Sequence, residues 1–93
     1  MVEDYKLTIP NVFSPNEDGI NDKWVIENIE SYPDHVLTVL DRSGRVLHQA
    51  RNYQNDWNGT VNGQTLEEGT YYYIIQFPNL KNAMKKGFVT IVK

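Results

Sequence analysis

Between Ser14 and Asp22 the chain sets oxygen-bearing side chains at two-residue intervals, Ser14, Asn16, Asp18 and then Asp22, with Gly19 available for a sharp turn. That spacing is the first half of a calcium loop, in which Ile20 would contribute its backbone carbonyl. Two residues oppose the match: Ser14 stands where the first acidic ligand belongs, and Val25 where the bidentate carboxylate belongs. Asn and Asp also close Asx turns on their own backbone without any ion. The loop thus carries two readings. A self-contained turn is the one the missing carboxylate favours. The other is a calcium site at Ser14, Asn16, Asp18, Ile20 and Asp22, and apart from calcium no cofactor is expected.

No other group of residues spells out a reaction. His35 and His48 are too few for a histidine metal site, and their strand context predicts solvent-facing side chains. Ser14, Ser31 and Ser43 lie in turn sequences, outside any nucleophile-elbow context. Glu67 and Glu68 are adjacent beside Gly69, where solvation accounts for them, and no helix follows Gly59 or Gly63 to make a phosphate loop. Asn58-Gly59-Thr60 matches a glycosylation triplet and is read as a tight turn. No catalytic residues are therefore expected. The aromatics remain: Tyr71, Tyr73 and Phe77 share one side of a strand and Tyr72 the other, one side for a core and one available as a platform for sugar or protein.

Composition narrows the partners. With 9 Lys+Arg against 12 Asp+Glu, the 93 residues carry a formal charge of −3, and the densest basic stretch, Lys81, Lys85 and Lys86, is thin. Neither nucleic acid nor an anionic membrane surface is an expected partner. No apolar run approaches the roughly 18 residues of a spanning helix, so direct membrane insertion is not expected. The absence of cysteine excludes disulfides and thiolate chemistry. The opening Met1-Val2-Glu3-Asp4-Tyr5 lacks the charged-then-apolar plan of a signal peptide. The length suits a single domain over residues 1–93, expected to be a monomer.

The elements that must position these residues read as short strands. Alternation predicts strands at 5–9, 24–29, 35–40 and 45–50, the last two joined by Asp41-Arg42-Ser43-Gly44 as a hairpin. A loop is expected over 11–22, a short strand near 64–66, the strongest strand over 70–77, a polar connection over 78–86 and a final strand over 88–92. No window has sustained helical periodicity. The fold class is all-β, an immunoglobulin-like antiparallel β-sandwich of about seven short strands. Glu67-x-Gly69-x-Tyr71-x-Tyr73 has the spacing of a tyrosine corner, in which the Tyr71 hydroxyl bonds back to nearby backbone. Tyr73 then takes the place that antibody domains give to cysteine.

The motifs, taken in order, resemble one family. Residues 10–24, Pro10-Asn11-Val12-Phe13-Ser14-Pro15-Asn16-Glu17-Asp18-Gly19-Ile20-Asn21-Asp22-Lys23-Trp24, are similar to the opening signature of the gliding-motility-associated C-terminal domain. That family is the type B sorting domain of the type IX secretion system of Bacteroidetes. The hairpin Val39-Leu40-Asp41-Arg42-Ser43-Gly44-Arg45-Val46-Leu47, the Asp56-Trp57-Asn58-Gly59-Thr60 block leading to Leu66-x-x-Gly69-Thr70-Tyr71-x-Tyr73, and the closing Gly87-Phe88-Val89-Thr90-Ile91-Val92-Lys93 resemble its later signatures. Glu17 replaces the family's usual Gly and Ser43 its usual Trp.

The resemblance implies a C-terminal secretion signal of a larger protein, recognised by the type IX machinery after periplasmic transit. Its cargo would be released or held at the cell surface, with a PorP/SprF-like outer-membrane protein as partner. Two stretches are expected to be recognised: Phe13, Pro15, Asn16, Asp18, Gly19, Asn21 and Asp22 in the polar loop, and Gly87, Phe88, Val89, Thr90, Ile91, Val92 and Lys93 as an edge open to strand addition. Trp24, Trp57, Gly69, Tyr71 and Tyr73 are expected to be structural. An immunoglobulin-like adhesion or carbohydrate-binding module is the alternative, and it would use exposed Tyr or Trp.

Overall fold

The β-branched and aromatic run Thr70-Tyr71-Tyr72-Tyr73-Ile74-Ile75 favours an extended chain, and the sheet is built around it. The computed structural model describes residues 7–15, 23–78, 80–81 and 83–92. Its strands are β1 (Val12–Phe13), β2 (Val36–Leu40), β3 (Val46–Arg51), β4 (Thr60–Val61), β5 (Gln64–Thr65), β6 (Gly69–Phe77) and β7 (Ala83–Ile91). Five of them form one sheet in the order β1-β7-β6-β2-β3, and β4 and β5 pair separately. All pairings are antiparallel except β1 with β7, where Val12 faces Thr90 and Phe13 faces Ile91 in parallel.

Alternation decides which side chains go inward. Leu37 and Val39 of β2, Tyr73, Ile75 and Phe77 of β6, and Val89 and Ile91 of β7 are buried on one face of the sheet. Trp24, Ile26, Ile29, Tyr53 and Trp57, from the segments that cross that face, close the core as its second layer. The result is the expected β-sandwich. A fully buried Trp or Ile removes enough apolar surface to contribute about 2 to 3 kcal/mol each.

The turns follow their residue types. Asn62 and Gly63 hold φ of 54° and 82°, the two positive values of a type I′ turn between β4 and β5. At the β2–β3 hairpin the Asp41 carboxylate accepts the Ser43 N–H at 2.9 Å, the Ser43 hydroxyl at 2.7 Å and the Arg45 N–H at 3.0 Å. The Ser43 hydroxyl first, then the Arg45 N–H, hold the Asp41 carboxyl down at about 2. Polar bonding at Ser43 thus organises a hairpin tip that has no aromatic anchor.

Several elements differ from the sequence reading. Of the strand expected over 5–9, the described residues 7–9 make only an isolated bridge, Thr8 with Glu27, and the two-residue β4 was not expected. The expected strand over 24–29 is not a strand, although Trp24, Ile26 and Ile29 do point inward. Its backbone groups find partners one at a time: the Trp24 N–H with the Trp57 carbonyl, the Ile26 N–H with the Asn55 side chain, and Glu27 with Thr8. Asn28, at φ 71°, then turns the chain into a short 3₁₀ helix, Ile29–Ser31. Inside the expected loop, Val12–Phe13 forms β1, because the C-terminal end of β7 offers it a ladder. Finally, β7 starts at Ala83, not at Phe88. The Leu80 N–H donates to the Phe77 carbonyl and the Ala83 N–H to the Leu80 carbonyl, and the Lys-containing segment runs straight back along β6, so pairing overrides weak strand propensity.

Candidate partner-binding surfaces

The signature aromatics converge on one cluster. Trp24 lies 5.4 Å from Tyr73, 6.2 Å from Trp57 and 6.5 Å from Phe13, ring centre to ring centre. Phe13 and Trp57 are 5.7 Å apart. Both indoles also spend their N–H groups on backbone carbonyls, Trp24 on Pro10 at 2.8 Å and Trp57 on Thr60 at 3.0 Å. Gly59 is in the same knot: a Cβ there would meet Pro15 at 3.3 Å and Phe13 at 3.5 Å. Trp24, Trp57 and Tyr73 are thus core residues, and Phe13, at 2% exposure, joins them. Phe13 presents no side chain to a partner.

Tyr71 makes the tyrosine corner. Its hydroxyl donates to the Glu67 carbonyl at 2.8 Å, and Gly69 between them sits at φ 150°, beyond the ordinary range of other residues. Burial, then the nearby Glu67 and Asp41 charges, raise the Tyr71 phenol above its usual value.

Both histidines were expected in solvent; His35 is buried and His48 half-buried. His35 is 1% exposed. Its Nδ1 is 2.6 Å from the Tyr32 carbonyl and its Nε2 accepts the Tyr53 N–H at 2.8 Å. A carbonyl only accepts, so Nδ1 carries the proton and the ring is neutral. With both nitrogens engaged by backbone, His35 is not free to act as a base. His48 stacks on Trp57 at 5.3 Å with planes 17° apart, and its Nε2 is buried without a hydrogen bond. Burial lowers its pKa, opposed by the Asp56 charge.

Tyr53 was not singled out from sequence, yet it ties the layers together. Its hydroxyl donates to the Trp24 carbonyl at 2.6 Å and accepts the Trp57 N–H at 3.1 Å. Burial pushes its phenol far up. The single signal in the sequence is an isolated Tyr in a polar loop, which many exposed tyrosines share.

The two stretches expected to be recognised divide unevenly. In the loop, Ser14 and Pro15 are half-buried. Asn16, Asp18, Gly19, Ile20, Asn21 and Asp22 lie outside the described residues, as does Lys93. Among the described residues no cluster of three or more His, Asp or Glu is placed to hold a metal. On β7, Val89 and Ile91 are buried and Phe88 is 48% exposed, with Val92 just beyond it also exposed. Thr90 is half-buried.

The expected open edge is corrected by the backbone. The Thr90 N–H donates to the Asn11 carbonyl at 2.8 Å and the Val92 N–H to the Phe13 carbonyl at 3.0 Å, so β1 covers that end of β7. The stretch from Ala83 to Phe88 is what remains unpaired by any described strand on that side. Lys85 and Lys86 within it are the charges that discourage promiscuous edge pairing. As both tryptophans are buried, the exposed aromatics among the described residues are Tyr72 and Phe88, direct neighbours across β6 and β7.

The model of a family described as CHU_C, the type IX secretion signal domain, matches residues 7–91. Among solved structures the chain is similar to PorZ, described as an essential bacterial surface component of the type-IX secretion system of Porphyromonas gingivalis. The TM-score is 0.61 at 18% identity, and the match covers 95% of this chain and 12% of that one, a likeness of fold. A search of curated proteins found no significant match.

Proposed function

Because the chain belongs to the type IX secretion signal domain family, we propose that it is the C-terminal sorting module of a larger protein. In this reading the module directs its cargo across the outer membrane, for release or for attachment at the cell surface, after transit through the periplasm. The match over residues 7–91 carries the proposal. The geometry adds what the machinery would read. Phe13, Trp24, Trp57, Gly59 and Tyr73 are consumed by packing, so the family signature encodes a fold. The address is then the folded surface, presented as a single monomeric domain spanning residues 1–93, and the module has no catalytic role. A PorP/SprF-like outer-membrane protein is the proposed receptor.

A fusion tests this directly. A fluorescent reporter carrying a periplasmic signal in front and these 93 residues behind is expressed in a Bacteroidetes host. Fluorescence is expected at the surface or in the medium, and in the periplasm when the secretion pore is deleted. Retention of the fusion in the periplasm of the intact host would overturn the proposal.

A further inference from the structure

The sheet has a second face, turned away from the core, and its composition is unlike the rest of the molecule. Register places Phe88, Tyr72, Leu40 and Val46 side by side across β7, β6, β2 and β3. Phe88 is 48% exposed, Tyr72 43% and Val46 53%. An apolar row across four strands, exposed at three of its four members with Leu40 half-buried between them, is more than scattered surface hydrophobicity.

Charge is distributed just as unevenly. The strands β2, β3, β6 and β7 contain Arg51, Lys85 and Lys86 and no carboxylate. All twelve acidic residues, with the other six basic ones, lie outside those four strands. An acidic domain therefore carries a basic sheet, and Lys86 stands on the outer face directly along the strand from Phe88.

The geometry points to this face as a docking surface for a protein that presents apolar side chains flanked by carboxylates. The aromatic neighbours Tyr72 and Phe88 supply the desolvated centre; Lys86 beside them, and Arg51 at the other end of the same face, level with Val36, Gln76 and Met84, supply the electrostatic selection. A second copy of the chain is a poor occupant, since a two-fold face-to-face pairing brings the same cations together. An anionic bilayer would have to approach the acidic remainder of the domain as well. The inference rests on the sorting reading and names the chemistry of its receptor.

The test uses the reporter fusion with a benzophenone side chain at Tyr72, cross-linked in the living host. A component of the secretion machinery should be captured through a peptide containing Asp or Glu beside apolar residues. Lys86→Glu combined with Arg51→Glu should reduce that product about tenfold or more, with an unchanged melting temperature. The same probe at Asn62, on the β4–β5 turn, should capture nothing. A product formed only with another copy of the fusion overturns the inference. So does the absence of a Tyr72 product, a product indifferent to charge reversal, or binding to anionic phospholipid vesicles in its place. A wild-type fusion that is exported while its Tyr72 probe stays silent overturns the docking surface and leaves the sorting reading intact. A fusion that is not exported overturns the sorting reading, and the cross-link still decides the surface.

Discussion

The ring of Tyr73 fills the space that a side chain on Gly87 would need: a Cβ there would stand 2.5 Å from the Tyr73 hydroxyl oxygen and 2.7 Å from its Cζ. The two are cross-strand partners on β6 and β7. Tyr73 cannot swing away freely, because it is 7% exposed and 5.4 Å from the Trp24 ring. The glycine that opens the closing signature is therefore a packing residue, despite its place in a segment expected to meet a partner.

Gly87→Ala is expected to destabilise the domain by about 1 to 3 kcal/mol, the range for overpacking a well-filled site. Calorimetric melting of the purified domain measures it. Tyr73→Phe in the same chain removes the nearest atom, so the double variant should cost less than the sum of the single ones. Additive losses would mean that the two residues do not share the strain.

Two tyrosines separate what a hydroxyl is worth in the core from its worth at the surface. Tyr53→Phe leaves the Trp24 carbonyl and the Trp57 N–H without their shared partner. Chemical denaturation should show a loss of about 2 to 3 kcal/mol, because buried groups are then unsatisfied. Tyr71→Phe breaks the corner bond to Glu67 where water can replace it, and about 1 kcal/mol is expected. Equal losses would contradict the layer-tying role of Tyr53.

Acid should weaken the fold through His48. Burial lowers its pKa in the folded chain from the ordinary 6.5, so below 6.5 the unfolded chain binds the proton more readily. The stabilising contribution is complete above 6.5 and is lost as the pH falls towards the depressed value. Melting temperature is expected to drop across that window in the wild type and to drop less in His48→Gln. Asp41, held at about 2, adds a further loss only below its ordinary 3.8. A His48→Gln variant with the full wild-type pH slope would contradict the assignment.

Calcium is expected to change little. Val25, which occupies the position of the bidentate carboxylate, is 47% exposed and supplies no oxygen. Titration into metal-stripped protein should give no heat and no shift in melting temperature at millimolar ion. A saturable response would establish the loop as a site.

Legibility in the sequence followed the range of the interaction. The hairpin at Asp41–Gly44, the Asn62-Gly63 turn, β6 and the tyrosine corner all depend on residues close in the chain, and all stand in the structure as their spacing implies. The two-residue β1 lies between Pro10 and Pro15 in a polar loop, and only the far end of the chain makes it a strand. Over 24–27 the alternation of buried side chains was real, but it breaks at Asn28, and alternation reports facing and not a continuous ladder. The first half of β7 was hidden by lysines that are tolerated where only one side is paired. His35 and Tyr53 reveal their roles only when the layers close, since their partners are backbone groups from distant segments.

The central claim, that the type IX address is the folded domain and not a linear motif, is most directly tested by measuring export against stability. Reporter fusions bearing wild-type, Gly87→Ala, Tyr53→Phe and Trp24→Ala domains are compared for the exported fraction and for the melting temperature of each domain. Trp24→Ala empties the centre of the aromatic cluster and is expected to cost about 3 to 5 kcal/mol. Exported fraction should fall in the same order as the folded fraction, with Trp24→Ala lowest. Export of an unfolded Trp24→Ala domain at the wild-type level would contradict the account.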